Sequence, residues 1–268
     1  MFIGYLRKEF ESSLEALSLS NTLLDVELLK HTFEAYPQYC FAAYENDEIV
    51  GVLSAYKFEN RILINVLEVD KKYPDVLERL LKLFLKNALN KTIYLLVEQK
   101  VFPKIEALGF SIFAPFIRYM HFGDAVAFNF SNTHAKQVNI ENYEETAKKI
   151  DKLVFNENRE HYIAKDCVFT NSLKLGTQSG ILHSYVVNKK YIKISPWIMK
   201  DEAFLDAQKL LRGVLYYRGL KKIYGYAPSE VKEITELYES YKFKKEGLFY
   251  LVYLGEKPTI KLDNLYAI

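Results

Sequence analysis

Several residue types and motifs are scarce or missing in this sequence of 268 residues. The two cysteines, Cys40 and Cys167, are too few for a disulfide framework, and neither they nor the five histidines have the spacing of metal ligands. The phosphate-loop and dinucleotide-binding motifs are also missing, and the eleven glycines never form a G-x-G. No apolar run approaches the roughly 18 residues of a membrane-spanning helix. We therefore expect neither a metal site nor a membrane span.

The charge balance and the start of the sequence narrow the class of protein further. Lys and Arg number 36 against 34 Asp and Glu, a formal net charge of +2, so the composition does not favour nucleic acid as a partner. The first residues become charged at Arg7 and lack the apolar core of a signal peptide. Two cysteines also fit a reducing compartment. The sequence therefore predicts a cytoplasmic protein.

What the sequence does contain is typical of a folded protein with a large core. Half of the residues are hydrophobic, 15% are aromatic and 26% are charged. The length is sufficient for two domains of about 130 residues each.

Hydrophobic periodicity predicts the same order of elements twice. In the first half the predicted elements are a helix (22–35), three strands (39–44, 49–56, 61–69), and then helix, strand, helix and strand (77–88, 93–97, 102–108, 110–122). In the second half they are two helices (143–155, 159–165), three strands (173–177, 181–187, 191–199), and then helix, strand, helix and strand (204–215, 223–227, 231–241, 248–254).

Short stretches of sequence also recur at a nearly constant interval. Lys91-Thr-Ile-Tyr94 lies 130 residues before Lys221-Lys-Ile-Tyr224, and Glu106-Ala-Leu-Gly-Phe110 lies 133 residues before Glu239-Ser-Tyr-Lys-Phe243. We interpret this as a duplication, with two unrelated domains of similar composition as the alternative.

The duplication predicts one domain over residues 1–130 and a second over residues 131–268. Residues 125–130 are apolar enough to form a first strand of the second domain. Residues 257–268 are expected to be an extension packed on the surface.

The order of elements resembles the GNAT (GCN5-related N-acetyltransferase) superfamily, present here as two tandem copies. Leu237-Tyr-Glu-Ser-Tyr-Lys-Phe243 is similar to the family's last-helix signature, with Lys242 in place of its glycine. Ile105-Glu-Ala-Leu-Gly-Phe110 is similar to it in the first half, with Ile105 in place of the tyrosine. Ser195-Pro-Trp-Ile198 is similar to the end of strand four in one class of tandem GNAT proteins.

This resemblance implies an α/β fold (α+β in some classifications) with two domains, each a mixed, mainly antiparallel sheet flanked by helices. It also implies that strands four and five splay apart in at least one copy. The free edge of strand four then pairs with the pantetheine arm of acetyl-CoA or another acyl-CoA. The pyrophosphate lies at the start of the following helix.

The resemblance carries over to individual residues of this sequence. It implies Tyr238 of the second copy as the general acid for the CoA thiolate, and Glu68 or His183 as the general base. The first copy would then be a structural or substrate-binding partner, and the opposite division, with the cofactor on the first copy, stays open. Trp197, Ile198 and Met199 would line the pantetheine arm, and Lys200 would neutralise phosphate charge. A packed tyrosine, a solvated or paired carboxylate, a buried histidine and a core tryptophan are the alternative interpretations.

The loops that would hold the pyrophosphate depart from the family's pattern. Neither residues 69–77 nor residues 198–205 contain a glycine, and Asp75, Asp201 and Glu202 stand at the predicted helix starts. Carboxylates there compete with phosphate for the positive end of the helix.

The sequence thus predicts an acyl-CoA-dependent N-acyltransferase, most simply an N-acetyltransferase, that acts on a small-molecule amine or a peptide N-terminus. The alternative is a non-catalytic protein of the same fold that binds a metabolite or a protein. Aminoacyl transfer from tRNA is disfavoured by the charge balance. An oligomer is compatible with the many tyrosines.

Overall fold

The structure is a computed structural model that describes residues 1–88, 91–131, 135–136, 138–166 and 168–268. It consists of two compact units: unit 1 is Met1–Phe113 with Tyr250–Pro258, and unit 2 is Ala114–Phe249 with Thr259–Ile268. Each unit therefore includes a stretch from the other half of the sequence. The division after residue 130 stays a prediction, and Cys167 lies outside the described residues.

The helices and strands follow the predicted order closely. The strands are β1 (Phe2–Tyr5), β2 (Cys40–Glu45), β3 (Glu48–Lys57), β4 (Arg61–Val69), β5 (Thr92–Glu98), β6 (Ser111–His121), β7 (Leu173–Gly176), β8 (Gly180–Val186), β9 (Tyr191–Met199), β10 (Lys222–Pro228), β11 (Lys244–Leu254) and β12 (Leu265–Ala267). The α-helices are α1 (Glu15–Ser20), α2 (Val26–Ala35), α3 (Val76–Asn87), α4 (Phe102–Glu106), α5 (Ile140–Phe155), α6 (Phe204–Arg218) and α7 (Lys232–Ser240). Tyr162–Asp166 is a π-helical turn.

Unit 1 is a mixed sheet in the order β1-β2-β3-β4-β5, followed by the last part of β11. The pairs β1–β2, β2–β3 and β3–β4 are antiparallel, whereas the pair β4–β5 is parallel. The turn between β2 and β3 is tight because Asn46 and Asp47 adopt positive φ angles of 51° and 64°, which these short polar residues tolerate. Helix α3 buries Leu80, Leu81 and Phe84 against one face of the sheet.

Unit 2 repeats this architecture. Its order is the first part of β11, then β6-β10-β9-β8-β7, with β12 pairing with β9. The β9–β10 pair is parallel, and the pairs β6–β10, β8–β9 and β7–β8 are antiparallel. The core brings together Trp197 and Tyr238, both fully buried, with apolar residues of α6 such as Leu211. The predicted fold class, a mainly antiparallel sheet flanked by helices in each copy, is confirmed.

Two local predictions were wrong. Residues 125–130 form no strand; they are apolar because Val126 and Phe128 pack against the core of unit 2 without pairing. Residues 257–268 are not a surface extension, since Leu265 and Ala267 are fully buried in β12.

The short elements β1 and α1 were missed. They have four and six residues, too few to display a period.

Candidate functional site

Each unit contains a parallel strand pair that is joined only at its beginning. The ladder between β4 and β5 runs from Arg61↔Thr92 to Ile64↔Leu95 and stops there, although both strands continue. The ladder between β9 and β10 covers residues 191–193 of β9 and ends in the same way. Beyond these points the two strands diverge, as the resemblance implies.

A β-bulge in β4 coincides with this divergence. Ile64 pairs with Ala55 and Val66 pairs with Ser54, so Asn65 has no partner on β3. The Asn65 side chain accepts a hydrogen bond from the Ser54 hydroxyl at 2.8 Å and donates one to Thr32 Oγ1 of α2 at 2.7 Å. Because a bulge bends its strand and increases its twist, this polar network helps to turn β4 away from β5.

The free edge of β4 in unit 1 presents backbone groups. The Asp70 N–H donates to the Val50 carbonyl on the β3 side at 2.8 Å. Because backbone groups alternate between the two edges of a strand, the N–H and C=O of Leu67 and Val69 face the β5 side. Leu67, Glu68 and Val69 are all partly exposed. An amide-bearing ligand could therefore extend the sheet here.

The corresponding edge in unit 2 is occupied by the chain itself. Strand β12 pairs with β9 through Leu265↔Ile198 and Ala267↔Trp197. On the other side, the Ile268 N–H donates to the Tyr226 carbonyl of β10 at 3.1 Å. The gap between β9 and β10 is thus filled by a strand.

The four residues predicted to bind cofactor lie around this filled gap. Trp197, Ile198 and Met199 are fully buried, and the indole N–H of Trp197 donates to the Met199 sulfur at 3.2 Å. Lys200 is exposed, and its ammonium donates to the Gln178 carbonyl at 2.7 Å. While β12 is paired, the β9 edge has no room for a pantetheine arm.

Tyr238, the predicted general acid, is also fully buried in unit 2. Its hydroxyl donates to the Tyr266 carbonyl of β12 at 3.0 Å, and its ring stacks on Tyr119 at 4.6 Å. Burial raises the pKa of the Tyr238 phenol far above its usual value. Its acid role stays a prediction.

His183, a predicted base, is fully buried at an irregularity in the β8–β9 ladder. Its Nδ1 lies 2.6 Å from the Ser195 carbonyl oxygen and its Nε2 lies 2.7 Å from the Ser172 hydroxyl. A neutral ring satisfies both contacts if Nδ1–H donates to the carbonyl and Nε2 accepts from the hydroxyl. Burial lowers the pKa of His183 to about 4.

Glu68, the other predicted base, lies in unit 1 on the diverging part of β4. It is partly exposed and accepts a short hydrogen bond from the Asn21 amide, at the end of α1. The structure therefore separates the sequence candidates: Glu68 belongs to unit 1, whereas Tyr238, His183 and residues 197–200 belong to unit 2.

The start of α3 in unit 1 is where phosphates would lie. Its N-cap residue Asp75 makes no side-chain capping bond, and the ammonium of Lys104 on α4 donates to the Pro74 carbonyl at 3.1 Å. Lys72 is exposed in the same loop.

Sequence reasoning missed Lys104 and Asn65. Lys104 is distant from α3 in the sequence, and no motif marks it. For Asn65 the signal available was a polar residue inside an apolar strand.

The described part of the chain lacks a membrane-spanning helix and a cluster of metal ligands. It contains no helix that is both long and apolar enough to cross a membrane. It also contains no cluster of three or more His, Cys, Asp or Glu side chains suited to a metal ion. Cys40 is buried, and burial raises the pKa of its thiol to about 12, so this cysteine is chemically inert.

Comparison with known proteins places this geometry in a fold family. No family model and no curated protein matches the sequence. Among solved structures, a candidate acetyltransferase from Pyrococcus horikoshii aligns with a TM-score of 0.79 and 18% sequence identity. The alignment covers 100% of this chain and 93% of that one.

Two further structures cover nearly the whole chain. A GCN5-related N-acetyltransferase from Sphaerobacter thermophilus aligns over 98% of both chains with a TM-score of 0.63 and 11% identity. A tandem GNAT protein from the clavulanic acid biosynthesis pathway aligns over 97% of this chain and 99% of its own, with a TM-score of 0.56 and 10% identity. The chain therefore has the tandem GNAT fold, two GNAT-like domains in one polypeptide.

Proposed function

We propose that this protein is an acyl-CoA-dependent N-acyltransferase, most simply an N-acetyltransferase, whose cofactor binds to unit 1. The observation that carries the proposal is the β4–β5 ladder, which ends at Ile64↔Leu95 although β4 continues to Val69 and stays paired with β3 on its other edge. Bound acyl-CoA would supply the acyl group as a thioester.

The β4 edge would hold the pantetheine arm through its amides. The backbone N–H and C=O of Leu67 and Val69 face the gap, and main-chain hydrogen bonds of this kind give affinity without requiring a particular side chain. Lys104 and Lys72 would contact the phosphates at the start of α3, where the helix dipole also favours an anion.

Glu68 is the base that this placement favours. It lies on the diverging part of β4 and contacts Asn21 at the end of α1, so an amine that enters between this loop and the β4 edge would reach its carboxylate. Glu68 would take the proton that an ammonium must lose before its nitrogen can attack. Ile105 occupies the place of the family's tyrosine and cannot donate a proton, so solvent would protonate the departing thiolate.

Calorimetric titration with acetyl-CoA tests the cofactor site. We expect one site per chain, and a Kd that rises about two- to fivefold in Lys104→Gln, as for a charge at a helix terminus. Lys86→Gln at the other end of α3 is the matched control and should leave the Kd unchanged. No saturation at millimolar acetyl-CoA would instead support the non-catalytic alternative.

Release of free CoA in the presence of spermidine, an aminoglycoside, a free amino acid and a short peptide tests the reaction. With any amine that is accepted, Glu68→Gln should reduce kcat by about 10²–10⁴-fold, the contribution of a positioned base, and leave the Kd of acetyl-CoA unchanged. Glu48→Gln, which changes an exposed carboxylate at the start of β3, is the control. Its kcat and its Kd for acetyl-CoA should equal those of the unchanged protein. Full activity of Glu68→Gln would refute the assignment of the base.

A further inference from the structure

Residues 262–268 follow the path that a bound cofactor would take through unit 2. At the start of α6, the Asn264 side-chain amide donates to Asp201 at 2.7 Å. The following residues pair with β9, and Ile268 reaches the Tyr226 carbonyl of β10. The segment thus runs from the loop before α6 into the gap between the diverging strands.

Polar groups along this path form hydrogen bonds with residues 262–268. The Tyr266 carbonyl accepts from Tyr238 at 3.0 Å, and the Tyr266 hydroxyl donates to Glu233 of α7 at 2.9 Å. The ring of Tyr266 also packs against Trp197, with 5.1 Å between the centroids. Both strand pairing and side-chain contacts therefore hold the segment.

Gly225 of β10 makes room for β12. A Cβ at this position would lie 3.0 Å from the Tyr238 hydroxyl and 3.4 Å from the Ala267 Cβ. The sequence repeat aligns Tyr94 with Tyr224, so Gly225 corresponds to Leu95 of unit 1. The small residue is thus found in the unit whose gap contains a strand.

The two copies differ in solvent exposure at the same positions. Trp197 and Met199 are fully buried on β9. Leu67 and Val69, which lie 130 residues earlier on β4, are partly exposed. Tyr266 of β12 contributes to the burial of Trp197 through the contact between their rings.

We infer that the gap of unit 2 is a peptide-binding slot whose ligand is residues 262–268 of this same chain, and that this internal ligand closes unit 2 to acyl-CoA. The slot recognises an extended segment with a tyrosine between two small or aliphatic residues. This inference concerns unit 2 alone and does not depend on whether unit 1 binds a cofactor.

Hydrogen–deuterium exchange of the full chain is the first test, because it requires no variant. We expect peptides that cover residues 265–268 to be as strongly protected as peptides from β10, both without ligand and with millimolar acetyl-CoA. Rapid exchange without ligand would overturn the inference. Loss of protection on addition of acetyl-CoA would also overturn it, because the slot would then be a cofactor site.

Deletion of residues 262–268 is the second test, and Trp197, the only tryptophan of the chain, is its reporter. We expect the emission of Trp197 to shift to the red in the shortened protein. The synthetic peptide Leu-Asp-Asn-Leu-Tyr-Ala-Ile should restore it with a saturable, micromolar Kd, whereas a peptide with alanine in place of its tyrosine should not. Unchanged emission on deletion, or equal binding of both peptides, would refute the slot.

Discussion

Tyr238 and His183 are fully buried in unit 2, and at the residue scale this burial has opposite effects on their pKa values. The phenol of Tyr238 becomes a weaker acid, whereas the imidazolium of His183 becomes a stronger one. In both cases the neutral form is favoured because a charged form would lose its hydration. Each neutral side chain then satisfies a buried carbonyl oxygen, that of Tyr266 or of Ser195.

Substitution of Tyr238 by phenylalanine separates a structural role from a catalytic one. We expect Tyr238→Phe to lower the free energy of unfolding by about 1–3 kcal/mol, because the buried Tyr266 carbonyl loses its donor. The Kd of acetyl-CoA and the rate of acyl transfer should not change. A rate reduced 100-fold or more at unchanged stability would instead make Tyr238 the acid.

The buried His183 should make stability depend on pH. Its pKa is about 4 in the folded protein, against about 6.5 in an unfolded chain. The unfolded state therefore binds more protons between these values, and the stabilisation present above pH 6.5 is lost as the pH falls towards 4. The loss attributable to His183 approaches about 3 kcal/mol.

Urea unfolding between pH 4 and pH 7 measures this dependence. We expect it to be reduced in His183→Gln and retained in His161→Gln, which changes an exposed histidine of the same unit. Equal pH dependence in the two variants would contradict this account of His183.

At the scale of single elements, the β4 bulge shows how side chains shape a binding edge. The ladder between β4 and β5 ends at Ile64, immediately before the bulged residue Asn65. The Asn65 amide replaces the missing backbone partner with hydrogen bonds to Ser54 of β3 and Thr32 of α2. One polar side chain thus links a helix and two strands at the point of divergence.

Asn65→Ala tests this function of the bulge. We expect a loss of about 1–3 kcal/mol in unfolding free energy, since the hydroxyl of the buried Ser54 loses its acceptor. We also expect weaker binding of acetyl-CoA, because the β4 edge is no longer held away from β5. Glu59→Ala, in the exposed turn before β4, should change neither quantity. Natural affinity in Asn65→Ala would mean that the bulge does not maintain the site.

At the scale of the whole molecule, each compact unit is assembled from two stretches of sequence. Tyr250–Pro258 belongs to unit 1, where Val252 is fully buried in one core with Ile93 and Phe110. The duplication in the sequence predicts a division after residue 130, and this division stays a prediction. A fragment of residues 1–130 would lack the contribution of β11.

We therefore expect residues 1–130 alone not to unfold cooperatively, because the core around Val252 would be incomplete. Joining residues 1–113 to residues 250–258 by a flexible linker should restore a cooperative transition, measured by circular dichroism during urea unfolding. A fragment of residues 1–130 that unfolds cooperatively without residues 250–258 would show that unit 1 does not need them.

The sequence by itself determined the order of helices and strands, the duplication and the resemblance to the GNAT fold. These follow from hydrophobic periods and repeated short motifs, which are local properties of the chain. The limits of β4 and β9, for example, were predicted to the residue. Tertiary structure decided which gap is open and which is filled, because pairing of β12 with β9 joins residues that are distant in the sequence. Other long-range contacts bring Lys104 to the start of α3 and bury Tyr238 and His183.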